Sequence, residues 1–423
     1  MHTIGNKLFF VYILAMPFTS AFALSGTINL PIITAMFLLG FNVVYNAKNK
    51  ALPINFITKE IVLISLFLFF VLVSFLVNGL AYSFSLNHTL AYFSSFLLFF
   101  ISPFLFFISH TSPQQLLKST LKVFFIAVLI SSLFSLFEFT LTNFFSINVT
   151  DFIPRANVKE YDPLITGFLI RSRGFAEESG HYGFMMELFA PLSIYYLYFS
   201  NFCTLKPMLK NIATFCIIIS IITSFSVSSF ILIPFSILLA IVLKFNLIRK
   251  ELFKNYKKIL LTIFVVLIVW QIINAFIPLN EILQITLDEK LDSFSLNDRQ
   301  ERSDYFWQKF PKLPLENILF GSGPSWYKIF EHDESYTFLS VYQTIAFENG
   351  LISLLLVFAV LFFIFIKLIK IQHVISIFLL TSFIAGLLHY NNISNYWYPW
   401  FWFLISFIMF YYYSFSLKNE NEN

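Results

Sequence analysis

Residues 215–243 read FCIIISIITSFSVSSFILIPFSILLAIVL. Whether this run is one helix or two decides which side of a membrane every later loop faces. The polar string Thr223, Ser224, Ser226, Ser228 and Ser229 fits a short turn, so the run is split at Ser224–Ser229. Pro234 then lies inside the second half as a tolerated kink. A bilayer core needs about 20 apolar residues per helix. Reading outward for such runs gives about twelve spans: 8–24, 28–45, 60–80, 90–108, 119–142, 181–200, 211–225, 228–244, 259–278, 346–366, 373–388 and 396–416.

The basic residues test this division. With the N-terminus inside, one set of loops carries Lys7, Lys48, Lys50, Lys59, Lys118, Lys122, Lys206, Lys210, Lys244, Arg249, Lys250, Lys254, Lys257, Lys258, Lys367, Lys370 and Lys418. That is 17 of the 27 Lys and Arg. The four short loops on the other side, 25–27, about 81–89, 225–227 and 389–395, carry none. The remaining ten lie in two long segments, which the positive-inside rule exempts. A single helix over 215–243 would put the cluster around Lys250 outside. The split is therefore preferred, with both termini cytoplasmic.

Composition agrees. Of 423 residues, 58% are hydrophobic and only 12% charged, about half the share usual in soluble proteins. Mean hydropathy is +0.78. These values exclude a soluble enzyme, a disordered chain and a nucleic-acid binder. Cys203 and Cys216 sit in or beside apolar runs and give no secreted disulfide framework. The 59 Phe carry no functional assignment. The N-terminus has a signal-peptide look, with Lys7, an apolar run and then Ala21-Phe22-Ala23, but a retained first span is preferred. No internal repeat is visible. The expectation is an all-α multi-pass protein, one membrane domain over 1–423, with two large outer segments at 143–180 and 279–345.

The first outer segment ends in Arg171-Ser172-Arg173-Gly174-Phe175-Ala176-Glu177-Glu178-Ser179-Gly180-His181. Two arginines at i, i+2 of an extended strand point the same way. A guanidinium pair above a helix N-terminus can grip a phosphate or pyrophosphate bidentately. Glu177, Glu178 and His181 supply candidate bases, and Gly174, Gly180 and Gly183 allow close approach. The plainer reading is an interfacial loop, with snorkelling arginines and glutamates that complement a helix dipole. The density of two Arg, two Glu and a His within 11 residues favours a site.

The second outer segment holds 11 acids against 6 bases. A helix is expected near 297–310, capped by Asn297 or Ser295 and stopped by Pro311. Phe306, Trp307 and Phe310 give it an apolar face, and Arg299 and Arg302 share another. These arginines are further phosphate-ligand candidates, with local ion pairing to Asp298, Glu301 and Asp304 as the equal alternative. Gly321-Ser322-Gly323-Pro324 follows as a turn. Glu331-His332-Asp333-Glu334 could hold a metal, but consecutive residues rarely face one ion, so no metal site is assigned.

In order and placement these motifs resemble the O-antigen polymerase and ligase superfamily. The resemblance rests on Arg171-x-x-Gly174-Phe175-x-Glu177-Glu178-Ser179 before a middle helix. It also rests on Arg299, Trp307, Pro314, Gly321-Ser322-Gly323-Pro324 and Glu348-Asn349-Gly350-Leu351-Ile352 in a late outer segment. It covers roughly residues 165–355 and the span count. It implies a fold similar to the multi-span glycosyltransferase-C class, placed in a bacterial inner membrane, with periplasmic outer segments. It also implies a donor and an acceptor glycan carried on undecaprenyl pyrophosphate, met by outer arginines without a metal or other cofactor. Arg171 and Arg173 match the arginine–glycine motif and Arg299 the later one; Arg302 is adjacent.

Ligases of this superfamily carry a His eleven residues before the Gly of the Glu-x-Gly signature. Here that position is Leu339, and His332 comes seven residues too early. There is also no Asp-x-Asp motif, and Ser25-Gly26-Thr27 holds no acid. The expectation is a polymerase of lipid-linked repeat units, with Glu178, Glu177 and His181 as candidate bases in that order. A chain-length regulator is a possible partner. The rivals are a ligase acting on lipid A-core and a flippase. Two long outer segments and few mid-membrane charges (Glu138, Glu187 and His389 near an edge) disfavour the flippase.

Overall fold

The computed structural model describes residues 2–23, 28–49, 57–80, 83–110, 112–149, 152–155, 165–166, 169–247, 249, 294–325 and 338–416. They are almost wholly helical. In chain order the helices are α1 (His2–Ala15), α2 (Leu30–Asn49), α3 (Lys59–Ser74), α4 (Ser83–Phe96), α5 (Ser102–Ile108), α6 (Pro113–Phe145), α7 (Ser179–Ile194), α8 (Pro207–Thr223) and α9 (Val227–Leu243). Then come α10 (Phe294–Lys309), α11 (Leu315–Phe320), α12 (Val341–Lys370), α13 (Ile375–His389) and α14 (Pro399–Tyr411). A two-residue hairpin pairs β1 (Ile165–Thr166) with β2 (Leu169–Ile170). Among the described residues, five helical stretches are long and apolar enough to cross a membrane: Leu30–Lys48, Lys59–Gly79, Phe84–Ile108, Pro113–Phe145 and Val341–Lys370. Shorter apolar helices run over Ile4–Ala15, Pro207–Thr223, Val227–Leu243 and Ile375–His389.

The decisive run is two helices. α8 ends at Thr223 and α9 starts at Val227, with Phe225 left-handed at the turn between them. Several expectations shift. The first helix stops at Ala15, and Pro17–Ala23 runs on as irregular chain, because Ser20 and Ala21 donate their amides to the Phe175 carbonyl. The helix expected near 297–310 begins at Phe294, so Ser295 and Asn297 lie inside it rather than capping it. The 259–278 run and Glu331–Glu334 lie outside the described residues.

Burial separates inner from outer helices. Every residue of α14 is buried, and so is nearly all of α7, which is how helices apolar on all faces are accommodated. Around them, α2, α3, α8 and α9 leave Phe37, Phe69, Phe215 and Leu238 exposed. Such exposed apolar bands suit a lipid surround, in which every backbone group is bonded within a helix.

Polar contacts sort the loops into two ends. At one end Asn6 meets His110, Ser109 donates to Asn46, and Glu60 pairs with Lys367. Lys244 there donates to the Ile369 and Ile371 carbonyls. At the other, Phe22 donates to Pro154, Ser172 to Thr223, Asn78 to Gly321, and Val341 to Tyr390 and Ile393. Helix α6 is 33 residues long, about 50 Å. It exceeds a hydrocarbon core of about 30 Å, and its last turns carry Glu138 at the second end.

Candidate functional site

The arginine loop is built on Glu138. One carboxylate oxygen accepts the backbone amides of Arg173 and Gly174, each at 2.8 Å. The other accepts from Arg155 at 2.9 Å and lies 3.7 Å from Arg173 Nε. The Arg155 guanidinium also donates to the Gly174 carbonyl at 2.7 Å and the Ala176 carbonyl at 2.9 Å. Burial pulls the Arg155 pKa down to about 10, against the opposing pull of Glu138, so the group stays charged at neutral pH. Gly174 takes φ +56°, and a side chain there would strike the Tyr182 ring. The loop is also tied sideways. Ser172 donates its amide to the Thr223 carbonyl, and its hydroxyl accepts from Ser135 at 2.8 Å. The turn that splits residues 215–243 thus supports the arginine motif.

The two loop arginines have different neighbours, unlike a parallel pair on a strand. The strand ends at Ile170, and both arginines follow in irregular chain. Arg173 is buried beside Glu138 and donates to the Glu177 carbonyl at 3.4 Å. Arg171 is half-buried; burial lowers its pKa while the charge of Glu178 opposes that.

Glu177 and His181 converge on a residue from the far end of the chain. The Tyr398 hydroxyl donates to Glu177 Oε2 at 3.0 Å and lies 2.8 Å from His181 Nδ1, while Glu177 and His181 are 3.8 Å apart. A tyrosine has one proton to give. With it on Glu177, His181 Nδ1 carries hydrogen and donates to the tyrosine oxygen, leaving Nε2 as an acceptor. Trp400 stacks on the Tyr398 ring at 4.7 Å. Glu178 stands at the start of α7, outside this triad. Deeper along α7, Glu187 pairs with His389 at 2.9 Å, both fully shielded.

A second carboxylate organises the late motif. Glu348 Oε1 accepts the Ser325 amide at 2.8 Å and Oε2 the Tyr92 hydroxyl at 2.8 Å; His88 Nδ1 is 3.7 Å away. Helix α12 breaks at Gly350, which takes φ +82°. The Gly321-Ser322-Gly323 turn docks into that break, where Ser322 and Gly323 donate to the Phe347 and Glu348 carbonyls. A Cβ at Gly321 would overlap the Glu348 carbonyl, and one at Gly350 the Leu319 carbonyl. The two glycine motifs of the sequence are one interlock.

Arg299 is exposed on α10 and Arg302 half-buried beside it. Arg299 lines a cavity of about 810 Å³ with Ser340, Gln343 and Asn391 at its polar end and Leu354 and Phe358 of α12 lower down. Neither Arg171 nor Arg173 lines it. The structure therefore brings Glu177, His181 and Arg173 together and leaves Arg299 and Arg302 on a separate wall of the same end. Sequence reading missed Arg155, Tyr398 and Tyr92. Arg155 was a visible charge in the first outer segment, among Asp151, Lys159, Glu160 and Asp162, whereas the two tyrosines had no local signal. No protein-family model and no curated protein sequence matches the chain.

Proposed function

We propose that this protein polymerises lipid-linked oligosaccharides at the outer face of a bacterial inner membrane. The observation that carries the reading is the convergence of Glu177 and His181 on Tyr398 beside Arg173, at the lysine-poor end of the bundle. A base and a buried cation side by side are what glycosyl transfer from a pyrophosphate requires. In the reaction, Glu177 takes the proton of an acceptor sugar hydroxyl. The oxygen attacks the donor's anomeric carbon, and the bond from that carbon to the pyrophosphate oxygen breaks. Arg173, with Arg171, meets the charge that develops on the departing undecaprenyl pyrophosphate, and Arg299 meets the pyrophosphate of the second lipid-linked partner. Glu177 is preferred over Glu178 as the base, because Tyr398 and His181 orient it while Glu178 faces Arg171. His181 Nε2 is the alternative acceptor. The cavity under Arg299, charged above and apolar below, suits the pyrophosphate and prenyl chain of that second partner.

Twelve spans with both termini cytoplasmic belong to this reading. The reading counts eleven of the described helices as spans, taking α4 with α5 as one and each of α1, α2, α3, α6, α7, α8, α9, α12, α13 and α14 as another. The reading takes the remaining span from the apolar run at 259–278, which lies outside the described residues.

The test is the glycan profile of a deletion strain of the source bacterium. A polymerase deletion leaves lipid A-core carrying one repeat unit and no ladder. Bare core with long lipid-linked chains accumulating would identify a ligase instead, and bare core with short units trapped inside a flippase.

A further inference from the structure

At the lysine-rich end, opposite the site above, lies a cavity of about 860 Å³. It is large enough for a lipid head group and the start of its chains. Its floor holds Tyr195 and Tyr411, which are 4% and 6% exposed. Among the described residues neither hydroxyl has a hydrogen-bond partner, and neither is sealed off from the cavity, so both can donate to a ligand. The wall carries Lys370 and His373. His373 Nδ1 accepts the Ile375 amide at 3.3 Å, so its Nε2 bears the hydrogen and is a donor. Among the described residues no Asp or Glu lines the cavity. Phe199 and Phe415 complete an apolar side.

We propose that this cavity binds the phosphate of an anionic membrane phospholipid. Four donors, one of them a cation, face a space to which no described carboxylate contributes. The cavity also lies at the level where the head groups of the lysine-facing leaflet sit, and basic pockets between helices there attract anionic lipid. Tyr195 and Tyr411 donate to phosphate oxygens, Lys370 supplies charge, and the phenylalanines accept the upper acyl chain. The site is independent of the glycan reading. It needs only that the helices lie in a membrane.

The test uses the purified full-length protein in detergent, with native mass spectrometry of retained phosphatidylglycerol and phosphatidylcholine. Phosphatidylglycerol should be retained about tenfold more tightly by the wild type than by Lys370→Gln, the worth of one charge-assisted hydrogen bond. The Tyr195→Phe/Tyr411→Phe variant, which keeps both rings, should show a similar loss. Phosphatidylcholine should bind weakly and equally to all three. Equal phosphatidylglycerol retention by wild type and both variants overturns the proposal. So does equal retention of the two lipids by the wild type. Displacement of phosphatidylglycerol by millimolar inorganic phosphate would also overturn it, by assigning the site to a soluble anion. Matching elution on size exclusion shows that the variants are folded.

Discussion

Tyr92 donates its hydroxyl to Glu348 at 2.8 Å while its ring lies face to face with Tyr396, centroids 3.8 Å apart and planes within 3°. Two residues on, Tyr398 holds Glu177. One short segment therefore spaces the two carboxylate clusters of the lysine-poor end. Tyr92→Phe keeps the stacking and strips a donor from a carboxylate with no exposure. The expected cost is about 1–3 kcal/mol, read as a lowered unfolding midpoint of the purified protein. An unchanged midpoint would mean that Glu348 does not need this donor.

Glu177→Gln keeps shape and removes the base. Polymerisation in membranes should fall about 10²- to 10⁴-fold at normal protein level, the usual worth of a general base. Tyr398→Phe should cost less, because it loosens the base without removing it. Glu178→Gln should retain most activity. A larger loss in Glu178→Gln than in Glu177→Gln would reverse the assignment.

Glu138→Ala should act on stability before chemistry. It leaves Arg155 buried without its carboxylate and frees the amides of Arg173 and Gly174. Breaking a buried pair costs about 3–5 kcal/mol, so the variant should accumulate poorly. Adding Arg155→Met should recover part of the loss, and purely additive effects in the double-mutant cycle would argue against the coupling.

Arginine geometry gives a separate expectation. A point charge does not reproduce the guanidinium fork. Arg173→Lys and Arg299→Lys should therefore impair polymerisation nearly as much as the alanine variants. Full activity in both lysine variants would leave these residues as interfacial anchors only.

Reporter fusions after Lys258 and Lys370 should read cytoplasmic, and fusions near Lys159 and Lys312 periplasmic. The warrant is the charge division between loops. A periplasmic signal after Lys258 would remove the twelve-span arrangement and the sidedness of the site with it.

Much of this organisation was legible in local pattern. The serine string marked the turn after Thr223, and lysine placement separated the same two groups of loops that the hydrogen bonds separate. The Gly321–Gly323 pair marked one half of the interlock and the single Gly350 the other, though nothing local said that they meet. Illegible were the partners. Tyr398 sits in an aromatic stretch, Tyr396-Trp397-Tyr398, among 20 tyrosines, and its hydroxyl acquires meaning only when α14 packs beside α7. Glu138 read as a mid-span charge because α6 extends farther than its apolar run suggests.

The burial of α14 has a consequence for biogenesis. Apart from the turn Tyr412–Ser416 that continues it, this helix follows in the chain the described helices it packs against, yet none of its residues is exposed. The earlier helices are synthesised and enter the bilayer without it. The space between them must stay open, or filled by lipid or an insertion factor, until translation reaches Pro399. The approach to Glu177 and His181 is therefore completed late. A ribosome stalled before Tyr396 would leave in the membrane a full set of arginines beside a glutamate and a histidine that Tyr398 has not yet aligned.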